Sequence, residues 1–284
     1  MMRADPVPVI VCADDFGLSR GVNAGILELA EAGRISAAGC MTGLPAFGAD
    51  AGRLKTFQGR LDLGVHLTLT DQEPLTSMPV LAPAGKLPSL GTLLKLGLAG
   101  RLPEDEIERE ISAQIDRFAE QIGCLPDFVD GHQHVQQLPG INRICVDVVA
   151  RLDAPEKPYI RACNDRLSAV LRRGRSVGRA LAVGMFGHGL RRCAKRHGLQ
   201  TNSGFSGFYD YAGAVDFADA FPDFLTAVVP GTLVFCHPGR SDAELAERDS
   251  LTVQRDRELA FMAGPAFPDL LAKAGVRLAR FRPD

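Results

Sequence analysis

The chain has no tryptophan, three tyrosines and six histidines among its 284 residues. With so few large rings it lacks the aromatic platforms on which a long polysaccharide stacks. No run reaches the roughly 18–20 apolar residues that a membrane-spanning helix needs. The formal net charge is only −2, which argues against general nucleic-acid binding, a task that favours a strongly basic face. Seven cysteines, odd in number and without paired spacing, do not make a disulfide framework and read as reduced, mostly buried thiols. The stretch from Met1 to Pro6 leads straight into an apolar run and leaves no room for a signal peptide. These features together predict a cytoplasmic protein.

What is present suits one large α/β domain over residues 1–284. Hydrophobic residues make up 46% of the chain, and the length fits a barrel of about 250 residues with insertions. Strand-like and helix-like segments alternate, which favours a parallel sheet. Val7 to Cys12, Ala37 to Met41, Leu63 to Leu69, Leu233 to Cys236 and Val276 to Leu278 read as strands. Gly21 to Ala32, stopped by Gly33, reads as an amphipathic helix, as do Pro103 to Ile122 and Leu251 to Met262. Residues 72–100, rich in Pro, Gly and Leu, and residues 162–205 are candidate insertions over the mouth of a barrel.

Polar residues interrupt the apolar runs at four places. Val11-Cys12-Ala13 halts at Asp14 and Asp15, a pair of carboxylates that repel unless a cation or a shared proton intervenes. Alone, such a pair serves equally as a cap or turn. His66 breaks an apolar strand pattern, where the plain alternative is a core histidine. Asp130-Gly-His132-Gln-His134 follows Phe128-Val129, and two histidines two apart on an extended chain would point the same way. His237 ends the run Leu233 to Cys236. Four of the six histidines thus stand at or near strand ends, where α/β enzymes place their chemistry. Imidazoles with a carboxylate are the usual ligands of a catalytic divalent metal.

These residues carry a resemblance. Ala13-Asp14-Asp15-Phe16-Gly17-Leu18-Ser19 with Asn23, Gly64-Val65-His66-Leu67-Thr68-Leu69, Asp130 to His134 and His237-Pro238-Gly239 resemble the YdjC-like (ChbG-type) carbohydrate deacetylases. Order and spacing match over roughly residues 7–280. Gly131 to His134 and the Asn202 to Tyr211 segment are most similar to the branch associated with hopanoid biosynthesis. The resemblance implies a deformed (β/α) TIM-like barrel and one divalent metal ion, zinc or magnesium foremost, held by Asp15, His66 and His132. It also implies removal of the N-acetyl group from an N-acetylglucosamine unit, with Asp14 as base. Many relatives carry a third histidine where this chain has Gln136, which puts a neighbouring substrate contact in question.

The remaining roles follow from the chemistry of amide hydrolysis, which needs a polarised carbonyl, an activated water and a proton for the departing amine. His237 is the candidate acid; an orienting role is the alternative. His134 is expected either to orient a ligand or to hold the acetyl group. Asp130 is placed to accept a hydrogen bond from an imidazole. Arg161, after Tyr159-Ile160, puts a cation at another strand end, to pair with a carboxylate or hold a substrate hydroxyl. His134, Arg161 and Asp130 are therefore the expected substrate-binding set.

One stretch breaks the charge balance. Residues 166–197 hold nine Lys or Arg and no Asp or Glu, interleaved with apolar residues. Such a segment either snorkels its arginines on a solvated face or lies on an anionic membrane. Phe205, Phe208, Tyr209 and Tyr211 are placed to line an apolar or sugar-stacking wall, or to pack in the core. The sequence therefore predicts a metal-dependent N-deacetylase whose amino-sugar substrate sits on a hopanoid lipid, with the enzyme peripheral at the inner membrane face. Three alternatives stay open: deacetylation of soluble chito-oligosaccharides, hydrolysis of another bond such as a phosphoester, and a non-catalytic carbohydrate- or lipid-binding barrel. Phosphate sites usually want convergent cations or a glycine-rich nest, and no such loop follows the first strand.

Overall fold

Val7–Phe16 forms β1, buried without interruption from Val9 to its end, as befits a parallel strand covered on both faces. The computed structural model describes residues 5–211 and 215–282; Met1 to Ala4, where no leader is expected, lie outside them. After β1 come α1 (Arg20–Glu31), β2 (Ala37–Cys40), α2 (Pro45–Lys55), β3 (Asp62–Leu67), α3 (Leu90–Leu98) and α4 (Glu104–Ile122). The middle of the chain supplies β4 (Phe128–Gly131), a 3-10 segment (His132–Gln137), α5 (Ile141–Arg151), β5 (Tyr159–Ile160), α6 (Leu167–Arg173) and α7 (Val177–Arg196). The last part adds β6 (Gly204–Ser206), α8 (Phe217–Phe224), β7 (Thr232–Cys236), α9 (Ala243–Arg248), α10 (Val253–Ala263), α11 (Ala266–Lys273) and β8 (Val276–Leu278).

The strands pair in parallel in the order β5-β4-β3-β2-β1-β7-β6, with β8 beside β1. An isolated parallel bridge joins Ile160, in β5, to Thr201 just ahead of β6. The sheet therefore curls until its two ends meet, with helices around it: the parallel sheet that the alternation predicts, closed into the deformed barrel that the resemblance implies. β8 takes one stretch of the β1 edge, with Val7 opposite Val276, and β2 takes the next, with Cys12 opposite Ala37.

Local chemistry explains the flanking helices. The Ser19 side chain accepts the Val22 N–H and caps α1, a contact worth about 1 kcal/mol. Val22, Ile26 and Leu29 then face the sheet. In α4 the acidic residues Glu104, Asp105 and Glu106 fill the first turn, where they complement the helix dipole. Ile107, Ile111, Ile115 and Phe118 of α4 are fully buried, each worth roughly 1.5–3 kcal/mol of apolar burial.

Two buried carboxylates of α4 also fasten the long loop before α3. Glu106 accepts the N–H groups of Val80 and Leu81, and Glu110 those of Leu75 and Thr76. The excursion at 72–100 is thus pinned to the barrel wall. At the base of the 162–205 excursion, Asn202 accepts the Ala162 N–H and donates to the carbonyls of Ala162 and Gly204.

Candidate active site

The strand that sequence reading ends at Cys12 continues through both aspartates. Ala13 pairs with Ala38 and Phe16 with Cys40, so three steps along β1 oppose two along β2. The extra residue is a bulge. Asp15 sits in the left-handed region at φ 71°, which aspartate tolerates better than most residues. On a regular strand the two carboxylates would face opposite sides; here both line one cavity. Gly17 follows at φ 103°, and a Cβ there would lie 2.7 Å from the Met41 carbonyl, so the turn out of the bulge requires glycine.

His66 on β3 faces Asp130 on β4 in the strand register. Its Nδ1 lies 2.7 Å from Asp130 Oδ1, so Asp130 accepts from this imidazole. That hydrogen bond directs Nε2 into the site, 3.2 Å from Asp15 Oδ1. Burial by itself pushes the His66 pKa down, but the carboxylates of Asp130 and Asp14 outweigh it and raise it to about 10. The carboxylates therefore favour a positive charge beside this imidazole. His132 brings Nδ1 to 2.9 Å from the same Asp15 oxygen.

His134 departs from expectation. Gln133 and His134 adopt left-handed conformations at φ 54° and 60°, so the chain turns at once after β4 and the two histidines do not share the direction of an extended strand. His134 packs edge-on among Phe205, Phe208 and Phe235, with ring centres 5.3–5.6 Å away. Burial first, and the Arg161 guanidinium second, hold its pKa down to about 3. Gln136 is buried behind the site, where it donates to the Arg161 carbonyl.

Arg161 is completely buried. Its Nη1 and Nη2 donate to the two oxygens of Asp14 at 2.7 and 2.6 Å, and Nη2 lies 2.5 Å from Asp130 Oδ2. Desolvation raises the Asp14 pKa, yet the guanidinium prevails and lowers it to about 2. Cys12, Asp14 and Asp130 form a second acidic cluster, and Arg161 already supplies its cation. Neither Arg161 nor Asp130 lines the cavity, which corrects their expected contact with substrate: each is enclosed by partners and instead holds a residue that does face the cavity.

Sequence reasoning missed two residues of α10. Arg255 is fully buried and donates from Nη2 to Asp15 Oδ2 and to Asp249 Oδ2, both at 2.6 Å. It occupies one oxygen of Asp15 and leaves the other for His66 and His132. Glu258, three residues on, accepts the His237 N–H at 2.6 Å and the Tyr209 hydroxyl at 2.7 Å. Burial raises its pKa to about 7. The signal was helical periodicity: Arg255 and Glu258 share a face with the buried Leu259 and Met262. His237, at the end of β7, keeps a buried Nδ1 without a hydrogen-bond partner among the described residues. Burial lowers its pKa to about 4.

A cavity of about 480 Å³ opens over these groups, within the size range of small-molecule sites. Asp14, Asp15, His66, His132, His134 and His237 all reach it. Phe208 and Tyr211 form part of its wall, whereas Phe205 and Tyr209 pack behind them. The donor atoms of Asp15, His66 and His132 lie within 4.8 Å of one another. One carboxylate oxygen and two imidazole nitrogens, in a pocket that raises the His66 pKa, fit a divalent cation.

Comparison with known proteins places this geometry in a lineage. The chain is 31% identical to a carbohydrate deacetylase of Geobacillus stearothermophilus over 276 residues, 96% of each chain. It is 29% identical to a chitooligosaccharide deacetylase of Klebsiella pneumoniae (strain 342), over 96% of this chain and 98% of that one. A crystal structure from Enterococcus faecalis V583, ascribed to cellobiose-phosphate cleavage, superposes with a TM-score of 0.72 at 20% identity, covering 98% of both chains; that likeness shows the fold. The sequence pattern of the YdjC-like proteins matches residues 8–273, nearly the whole barrel, and the chain belongs to the YdjC-like family.

Proposed function

We propose that the protein is a divalent-metal-dependent N-deacetylase acting on an N-acetylglucosamine unit carried by a hopanoid lipid. The observation that carries the reaction is the meeting, in one cavity, of Asp14 held by Arg161 with the Asp15, His66 and His132 set. Pure binding has no need for a buried, ionised carboxylate beside metal-ligating imidazoles. The full-length likeness to carbohydrate deacetylases supports the same chemistry. In this reading the chain is one catalytic domain whose 72–100 and 162–205 excursions stand over the mouth.

Asp15, His66 and His132 would hold zinc or magnesium. Bound there, such an ion supplies Lewis acidity at the amide carbonyl and lowers the pKa of a water. Asp14 accepts the proton of the attacking water; Arg161 keeps it ionised and fixes its orientation. His237 is neutral at neutral pH, so the proton that Asp14 accepts must pass to it before it delivers one to the departing nitrogen. Water's oxygen joins the carbonyl carbon, the C–N bond breaks, and acetate leaves together with the amine, which as an ammonium group has taken up both protons of the water. His134, neutral among three phenylalanines, shapes an apolar pocket for the acetyl methyl.

The lipid-linked substrate rests on the resemblance to the hopanoid branch, on the absence of tryptophan and on the basic, apolar segment at 166–197. It makes the enzyme cytoplasmic and peripheral at the inner membrane face; no helix among the described residues is long and apolar enough to cross a membrane. Soluble chito-oligosaccharides are the second reading, favoured by the activity named for the Klebsiella relative. Acetate release from N-acetylglucosaminyl bacteriohopanetetrol and from chitobiose, with and without a chelator, separates the two. Chelator-sensitive release from the hopanoid alone is the expected result. Release from chitobiose transfers the reaction to soluble sugars, and no release from either removes the deacetylase reading.

A further inference from the structure

We infer that the outward face of α6 and α7 is a docking surface for an anionic lipid bilayer, an inference that rests on the lipid-linked substrate proposed above. Leu167 and Leu171 on α6 are 58% and 56% exposed, and Leu181 and Met185 on α7 are 42% and 65% exposed. Each pair is spaced by four residues, so each presents two apolar side chains on one side of its helix. A helix kept only in water has no use for such a face.

The nine basic residues of the segment divide into groups. Arg173 pairs with Asp165, Arg175 with Asp223, Arg191 with Asn164 and Thr201, and Arg166 donates to the Ala227 carbonyl. These four bind the two helices to the barrel. Arg172, Arg192, Lys195 and Arg196 stay exposed, and Arg179 lies over the Tyr211 ring at 5.5 Å. Since residues 166–197 hold no acidic side chain, a second copy of the same face would oppose cation to cation. Anionic headgroups are the complementary partner, with the leucines and methionine entering the headgroup boundary.

Position links this surface to the cavity. Arg179 and Val183 of α7 line the cavity, while Leu181 and Met185 of the same turns face outward. A sugar whose apolar carrier remains in the bilayer would thus enter the site at the edge of the docked face.

The test is co-sedimentation of the intact protein with phosphatidylcholine vesicles, with and without phosphatidylglycerol. Binding is expected only with phosphatidylglycerol, and is expected to be released in about 1 M salt, where the Debye length is about 3 Å. Leu181→Glu/Met185→Glu and Arg192→Glu/Lys195→Glu/Arg196→Glu should each weaken partitioning about tenfold or more. Both variants should still release acetate from detergent-dispersed N-acetylglucosaminyl hopanoid. Wild-type protein that ignores phosphatidylglycerol vesicles, or variants that sediment like wild type, would overturn the surface. So would a dimer by light scattering that Leu181→Glu/Met185→Glu dissolves, since the occupant would then be a second copy. Vesicle binding without acetate release would fail the catalytic reading alone.

Discussion

Replacing Arg161 by methionine tests the electrostatic frame of the site. The guanidinium is completely buried between Asp14, at 2.6 and 2.7 Å, and Asp130, at 2.5 Å. Methionine fills similar space but leaves two buried carboxylates without their cation. Breaking a buried ion pair in this way costs about 3–5 kcal/mol, a large share of the roughly 5–15 kcal/mol that holds a domain. Asp14 alone, lowered from 3.8 to about 2, accounts for about 2 kcal/mol. Because the folded value is the lower one, that stabilisation is present above the unfolded value and lost as the pH falls toward the folded one. Without Arg161 the sign reverses, since burial then raises the Asp14 carboxyl above its unfolded value. Urea denaturation of wild type and Arg161→Met should differ by about 3–5 kcal/mol near pH 7, and the gap should shrink as the pH is lowered toward about 5. A variant within about 1 kcal/mol of wild type, with a parallel pH dependence, would refute the reasoning.

Other expectations follow from the same geometry. Asp15→Ala should remove bound metal after loading with zinc or magnesium; metal analysis equal to wild type would exclude Asp15 as a ligand. Asp14→Asn should keep the metal and lose turnover by about 10²–10⁴-fold, and an active variant would exclude Asp14 as the base. Glu258 has its pKa raised from 4.5 to about 7, so the stability it contributes is full below the unfolded value and declines as the pH rises through about 7. Melting temperature should therefore fall over that interval in wild type and fall less in Glu258→Gln; identical curves would contradict the assignment. Glu258→Leu strands the His237 N–H and the Tyr209 hydroxyl, at about 1–3 kcal/mol each. It should lower kcat with metal content unchanged, and Gln should restore part of the loss; kcat equal to wild type would show that this anchor does not matter to turnover.

Much of this architecture was legible in the sequence, for physical reasons. Buried parallel strands such as β1 and β7 read as apolar runs, and α1 and α4 show helical periodicity, so the alternation gave the fold class. Asp14, Asp15, His66 and His132 stood out because each interrupts an apolar pattern. What stayed hidden depends on backbone angles and long-range registers. The bulge turns on the left-handed angle of Asp15, which residue alternation does not encode. The turn at Gln133 and His134 separates two histidines whose spacing suggested a shared direction. Asp130 serves His66 because β3 and β4 pair in one particular register. Arg161 stood at a strand end, but that its guanidinium bridges Asp14 and Asp130, and that Arg255 reaches Asp15, depends on distant segments meeting.

The grip of α10 on the first strand has a consequence during synthesis. Asp15 emerges from the ribosome 240 residues before Arg255, its partner at 2.6 Å. At roughly 5–20 residues per second, that interval is on the order of tens of seconds. For most of it the nascent chain carries a carboxylate destined for burial without its guanidinium partner, and a central strand without its β7 neighbour. Translation that stops before α10 leaves Asp15 without its guanidinium and the start of β1 without β8. Completion of the fold and arrival of the last charge at the site thus become a single late event.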